Sequence, residues 1–273
     1  MIIGINGKIG SGKDTVGNII QYLTDKNAKD MSFEYWYASN VYSVYQVTGK
    51  WKIKKFADKL KDMVCLLLNC NKEQLENREF KEKELGEEWW YYKVGNSMFS
   101  YVSDEELKKH NSESNIIKLT PRLLLQLLGT ECGRQIIHSN IWVNALMSEY
   151  KPAILENIHI PGDYIGRCLT CDSPFQGAKR STTCENCESR VETYPNWIIT
   201  DMRFPNEMES VVEKQGVTIR VKRNQIRLGN FQLEHASETS LDNETFDYEI
   251  DNNGTMEELV KNIKQILIKE KLI

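Results

Sequence analysis

The segment GKIGSGKDT, residues 7–15, constrains this chain more than any other. Gly7, Gly10 and Gly12 allow backbone conformations that turn successive N–H groups toward one point, Ser11 lies between two of them, and Lys13 adds a positive charge. A loop of this kind suits phosphate oxygens when it joins a buried strand to the start of a helix. Its flanks meet that condition. MIIGING is a short apolar run entering a turn, and Val16, Ile19, Ile20 and Leu23 then recur at helical spacing. The usual pattern places Ser or Thr directly after the lysine, where its hydroxyl ligates the magnesium of a bound nucleotide. Here that position is Asp14, and the hydroxyl arrives one residue later as Thr15. Asp14 has two readings: it complements the dipole of the helix it opens, or it holds a metal ion through water.

Strand and helix signals alternate through both halves of the chain, which predicts an α/β fold of three layers, α/β/α, around a mostly parallel sheet. WKIKKFADKLKDMVCLLL reads as a strand turning into a helix near Ala57, with Leu60, Met63, Val64 and Leu67 on one face. In LTPRLLLQLLGTECGRQ, Thr120 is a cap and Pro121 suits the first helical position. Arg122, Gln126, Gly129 and Gly133 then form a stripe opposite leucines, as on a helix that approaches something polar. NWIITDMRFPNEMESVVEKQGVTIRVKR gives strand, turn, a helix stopped at Gly216, and strand. Asp201 ends the first of these strands at the carboxyl edge, where ligands of open α/β sheets bind, and a carboxylate there can hold magnesium directly or through its waters. The alternative for Asp201 is a cap on the following helix. FDYEIDNNGTMEEL supplies a last strand and a helix opened by a Thr255 to Glu258 capping box. Residues 31–50, rich in aromatics, read as a hairpin-like excursion, and 69–118 as a charged surface excursion without a core of its own.

The 273 residues carry a formal net charge of −4, which argues against an obligatory nucleic-acid coat. No apolar run approaches the ~18 residues of a membrane span and the N-terminal segment lacks a signal-peptide layout, so the expected location is the cytoplasm. Among seven cysteines, Cys65, Cys70 and Cys132 read as small core residues. Cys168, Cys171, Cys184 and Cys187 form two C-x-x-C pairs twelve residues apart, a spacing suited to tetrahedral zinc, and four thiolates leave no open position for chemistry. A structural zinc ribbon is expected.

The loop G-x-x-G-S-G-K-x-T resembles that of adenylate kinase and its nucleoside monophosphate kinase relatives, in which the residue after the lysine is not a hydroxyl. DMRFP resembles the Asp-x-x-Pro turn of the same enzymes. With KKFADKLKD, TPRLLLQLLGTECGRQ, IWVNAL, IITDMRFPNE and HASETSLDNETFDYEIDNNGTMEEL following in that order, the chain resembles the bacteriophage deoxynucleoside monophosphate kinases over most of its length. That resemblance implies ATP-dependent phosphoryl transfer to a deoxynucleoside 5′-monophosphate, with ATP and magnesium as cofactors beside the structural zinc. It implies ATP binding by Gly7, Gly10, Ser11, Gly12, Lys13, Asp14, Thr15 and Arg223, with magnesium at Thr15 and Asp201. Phe56, Lys61, Arg122, Gln126 and Arg134 would line the acceptor site, and Lys13, Arg122, Arg134, Asp201 and Arg203 would act on the transferred group. Arg220, Arg223 and Arg227 would lie beyond a strand, where such kinases carry a lid, here about 221–240. The kinase domain would be 1–151 and 196–273, with its acceptor-binding segment at about 51–135, interrupted by the ribbon at 152–195, which precedes the Asp turn instead of following it. Expected partners are small-molecule nucleotides, with no membrane and no obligatory nucleic acid; the oligomeric state stays open, a homodimer among the options. Competing readings are a phosphate-loop ATPase whose ribbon binds nucleic acid or protein, and a kinase of another small metabolite.

Overall fold

The computed structural model describes residues 1–42, 51–94, 98–100, 116–157, 159, 161–169, 171–179, 181–187, 189–224 and 239–273. The chain divides into two compact units, Met1–Lys54 with Met147–Ile273, and Lys55–Leu146. The first unit opens with β1 (Ile2–Asn6), α1 (Lys13–Thr24), α2 (Phe33–Tyr42) and β2 (Trp51–Lys54). The second contains α3 (Asp58–Leu68), α4 (Lys72–Glu76), α5 (Arg78–Glu82), strands β3 (Tyr91–Val94), β4 (Met98–Ser100) and β5 (Ile116–Ile117), and α6 (Pro121–Gln126), which runs into a π-helix at Leu127–Ile137. Helix α7 (Ile141–Met147) leads back to the first unit. There follow β6 (Ala153–Asn157), β7 (Tyr164–Arg167), β8 (Pro174–Gly177), β9 (Ser189–Thr193), β10 (Asn196–Ile199), α8 (Pro205–Glu213), β11 (Val217–Lys222), β12 (Tyr248–Asp251) and α9 (Met256–Lys269).

The main sheet has the order β12-β11-β1-β10-β2, and every pairing is parallel. A parallel sheet needs cover on both faces, so its central strand reads as a continuous apolar run. Ile2, Ile3 and Ile5 of β1 are all buried. On one face Ile3 and Ile5 join Val16, Ile19 and Ile20 of α1, Phe33 and Trp36 of α2, and Leu259, Ile263 and Leu267 of α9. On the other, Gly4 gives Val211 of α8 and Met202 room to approach. This is the three-layer α/β/α arrangement. Strands β10 and β11, consecutive in the chain and joined through α8, lie on opposite sides of β1 in the sheet. The strand order therefore reverses at β1, the position that opens a ligand crevice at the carboxyl edge. No helix among the described residues is long and apolar enough to cross a membrane.

The expected hairpin at 31–50 is instead helix α2 up to Tyr42, and the remainder of that segment lies outside the described residues. Aromatics favour strands as a class, but packing decides each case. Phe33 and Trp36, a helical step apart, both reach Tyr22 of α1, and the Trp36 indole donates to Asp25 at 3.0 Å. Residues 69–118 are also corrected in part. Short helices and an antiparallel sheet of order β4-β3-β5 occupy their described portion, which buries Leu75, while Phe56, Leu60, Val64, Leu119, Leu124 and Trp142 are buried on either side of it. The second unit has a core. Met63 and Leu67, expected to share the buried face of α3 with Leu60 and Val64, are exposed.

Thr120 caps α6 through Leu123 N–H, and Pro121 holds the first helical position, as the sequence predicts. The stripe beyond it does not form. The π-helix from Leu127 changes the turn, and Gly129 and Gly133 are buried against apolar neighbours. A Cβ on Gly129 would stand 2.8 Å from Leu60, and one on Gly133 would stand 2.6 Å from the Leu128 carbonyl and 2.9 Å from the Trp142 ring. The Trp142 indole donates to Gly129 O at 2.8 Å, so these glycines admit a tryptophan and not a polar ligand. Cys65, Cys70 and Cys132, expected in the core, are each only half-buried.

Candidate functional site

Strand β1 delivers the glycine loop to the carboxyl edge of the sheet. Gly10 and Gly12 take φ of 80° and 96°, which L side chains rarely adopt. A side chain at Gly12 would also collide with Asn252, whose Nδ2 donates to Ser11 O at 2.8 Å. Ser11 N–H and the Lys13 ammonium both donate to Lys8 O, at 3.0 and 3.1 Å, so the lysine folds back over its own loop. The Ser11 hydroxyl is buried and has no hydrogen-bond partner among the described residues. Buried polar atoms are seldom left so, and an orphaned hydroxyl inside a glycine cradle fits an anionic oxygen.

The Thr200 hydroxyl, buried at the end of β10, donates to Asp14 Oδ1 at 2.7 Å. The residue after Lys13 is thus a clasp between the first turn of α1 and the strand that carries Asp201, while remaining an acidic group at a helix start. Asn6 Nδ2 donates to Met202 O at 2.9 Å and binds the end of β1 to the same turn. Beyond it, the backbone N–H groups of Arg203 and Phe204 both donate to buried Glu207, at 2.7 and 3.1 Å, so Glu207 supplies the capping-box carboxylate of α8. Thr15 and Asp201 stand in these two braced segments. Thr200, Asn252 and Glu207 were missed at the level of sequence. A hydroxyl closing an apolar strand beside Asp201 was the one available signal for Thr200.

Arg220 does not lie beyond the strand. It belongs to β11, where it donates to Leu241 O, stacks on the Phe246 ring at 4.2 Å and lies 3.6 Å from Glu249. It holds 241–249 against the sheet. Lys8 pairs with Asp242 of that segment at 2.9 Å. Arg223 is exposed just after β11, whereas Arg227 and most of the expected lid lie outside the described residues.

Phe56, Lys61, Arg122, Gln126 and Arg134 all belong to the second unit. Phe56 is buried, and Gln126 ends α6 where the π-helix begins. Lys61 pairs with Glu76 of α4, which also takes Lys81 at 2.8 Å. Arg122 Nε donates to Glu82 of α5 at 2.6 Å, and Arg134 donates to Ser139 O at 3.4 Å. The short helices α4 and α5 therefore carry the carboxylates that hold two of these cations.

Strands β6 and β9 pair antiparallel from Ala153↔Thr193 to Asn157↔Ser189, and β7 pairs with β8 farther along the insertion. The β7–β8 turn bears Cys168 and Cys171, while Cys187 ends a short 3-10 turn, Glu185–Cys187, that Cys184 immediately precedes. All four sulfur atoms lie within 4.8 Å of one another, and Cys171 and Cys184 are 3.8 Å apart. Zinc–thiolate bonds of about 2.3 Å in a tetrahedron give a sulfur–sulfur edge of about 3.8 Å. The donor set and its spacing fit such an ion. Hydrogen bonds from the Ser173 side chain and backbone hold the Cys171 thiol below its ordinary range, which favours the thiolate.

Two outcomes follow from these contacts. Thr200→Val should lower unfolding free energy by about 1–2 kcal/mol in urea titrations, because it removes a hydrogen bond to a carboxylate. Asp14→Asn, which keeps an oxygen for Thr200, should lose less, and equal losses would show that charge rather than the clasp matters. Burial raises the Glu76 carboxyl, but hydrogen bonds from Lys61 and Lys81 outweigh it and lower it from 4.5 to about 2. A carboxylate depressed in the folded state stabilises above its unfolded value and loses that contribution as pH falls through the folded one. The contribution should be complete above pH 4.5 and vanish toward about pH 2. Glu76→Gln should flatten that limb of the stability–pH profile.

No family model matches the chain. It is 29% identical over 226 residues to the deoxynucleoside-5′-monophosphate kinase of Escherichia phage T5, an alignment that covers 78% of this chain and 72% of that protein. Joined to a phosphate-type loop at the reversal point of a parallel sheet, this similarity supports a phosphotransferase of the nucleotide-kinase kind.

Proposed function

We propose that the protein transfers the γ-phosphoryl group of ATP to a deoxynucleoside 5′-monophosphate, giving the diphosphate and ADP. The observation that carries this reading is the glycine loop with its orphaned Ser11 hydroxyl, tied through Asp14 and Thr200 to the strand end that carries Asp201, and the likeness to the phage T5 enzyme supports the choice of acceptor. The kinase domain is then 1–151 with 196–273, its acceptor-binding segment is about 51–135 and its lid about 221–240, with 152–195 inserted. It works in the cytoplasm on small nucleotides, without membrane or obligatory nucleic acid.

Loop N–H groups from Gly7 to Thr15 and the Ser11 hydroxyl bind the ATP phosphates. Lys13 leaves Lys8 O to neutralise charge on the transferred group, and Arg223 adds a cation from the lid. Thr15 and Asp201 would hold magnesium, directly or through water, and when bound it neutralises phosphate charge. Asp14 acts through Thr200 to keep these two segments in register. On the acceptor side Arg122 and Arg134 bind the monophosphate, Arg203 offsets the repulsion between the two anions, and Phe56, Lys61 and Gln126 line the remainder. Four thiolates around zinc complete a tetrahedral shell, so the insertion is structural.

A coupled ADP-release assay across deoxynucleotide and ribonucleotide monophosphates should show acceptor-dependent turnover. Lys13→Ala should reduce it at least about a hundredfold with Tm retained, and Arg122→Lys should raise acceptor KM while sparing ATP. ADP release without any acceptor dependence would favour the ATPase reading. Metal analysis should find a single zinc per chain that Cys184→Ser loses while the single-turnover rate persists; a collapsed rate in the folded variant would make the insertion part of the active site.

A further inference from the structure

Helix α3 ends in a backbone reversal that brings two thiols together. Asn69 takes the left-handed conformation at φ 48°, and both its N–H and that of Cys70 donate to the Cys65 carbonyl, the latter at 3.0 Å. This helix ending sets the side chain inside the last turn against the one just past the left-handed residue, a contact that is commonly apolar. Here the two positions are Cys65 and Cys70, and both are half-buried. Nothing in the phosphoryl-transfer reading uses them. Neither belongs to the four-thiol cluster of the insertion. Two cysteines can be bridged when their Cα atoms lie within about 7 Å, and the 3.0 Å bond from the Cys70 N–H to the Cys65 carbonyl holds these two inside that limit.

We propose that Cys65 and Cys70 are a reversible oxidation site, a dithiol that a low-molecular-weight disulfide such as oxidised glutathione converts to an intramolecular disulfide across the end of α3. Burial and the adjacent Cys70 thiol hold Cys65 above the ordinary thiol range, so the opening attack falls to Cys70. Its thiolate bonds to one sulfur of oxidised glutathione, the glutathione S–S bond breaks, and one glutathione thiolate leaves and takes a proton. Cys65 then releases its proton and attacks the Cys70 sulfur, expelling the second glutathione. The protein loses two thiol hydrogens and two glutathione thiols form. The bond staples the corner between α3 and α4. Lys72 of α4 already pairs there with Asp62 of α3 at 2.8 Å, and Glu76 of α4 with Lys61 of α3. The site rests on this geometry alone and stands whether or not the chain is a nucleotide kinase.

The test uses the full zinc-loaded chain, incubated with oxidised glutathione at a fixed ratio to the reduced form, alkylated, digested and mapped by mass spectrometry. The expected product is a peptide linking Cys65 to Cys70, short by a pair of hydrogens, restored by dithiothreitol, with zinc content unchanged. Cys65→Ser should instead accumulate the glutathione adduct on Cys70. Recovery of both cysteines alkylated, or of both carrying separate glutathione adducts, or a bridge from either one to Cys132 or to the zinc cysteines, would overturn the proposal.

Discussion

A glycine loop whose residues lie in the left-handed region needs its neighbours to hold it in place, and this constraint organises the carboxyl edge of the main sheet. The loop's own backbone closes a turn, Ser11 N–H on Lys8 O, but Gly10 and Gly12 lie in the left-handed region and have no side chains to hold it. Its bracing comes from neighbouring strand ends instead: Thr200 on Asp14 after β10 and Asn252 on Ser11 after β12, while Asn6, the last residue of β1, ties that strand to Met202. Each is a polar side chain that a purely structural sheet could dispense with. Together they tie the loop to the strand end that carries Asp201 and leave the Ser11 hydroxyl unsatisfied. Functional sites commonly leave a local rule unmet in this way while surrounding structure absorbs the cost.

The second unit solves a different problem. It must carry several cations on short helices with little apolar surface of their own. Glu76 and Glu82 neutralise Lys61, Lys81 and Arg122, while Leu75, Leu60 and Trp142 supply the packing. The π-helix fits this economy. Its wider turn gives Gly129 and Gly133 to the Trp142 ring, and the indole satisfies the Gly129 carbonyl. Such segments are uncommon and tend to sit near functional residues; this one begins after Gln126 and contains Arg134, two residues of the proposed acceptor site.

Much of the fold was legible from periodicity and punctuation. The β1–loop–α1 unit, the caps at Thr120 and Thr255, and the strand–turn–helix–strand from Asn196 to Lys222 depend on residues close in the chain, so local spacing reveals them. The four-cysteine cluster was equally legible, because two C-x-x-C pairs each place their thiols within one tight turn. The helix at 33–42 was not, since its aromatics favour strands and only Tyr22 and Asp25 of the preceding segment decide otherwise. The polar stripe after Arg122 failed for a related reason: it assumed one helical period, and the chain changes period at Leu127.

By itself the sequence determined a parallel α/β core, a glycine loop at a helix start, a carboxylate at a strand end and a four-thiol cluster, all features written in neighbouring residues. Only the tertiary structure decided what Asp14 touches, since Thr200 stands 186 positions away, and what Arg220 does, since its partners arrive from the segment before β12. Hydrogen bonds between residues so distant in sequence leave no periodic trace. Their geometry exists only after the strands have taken their order in the sheet.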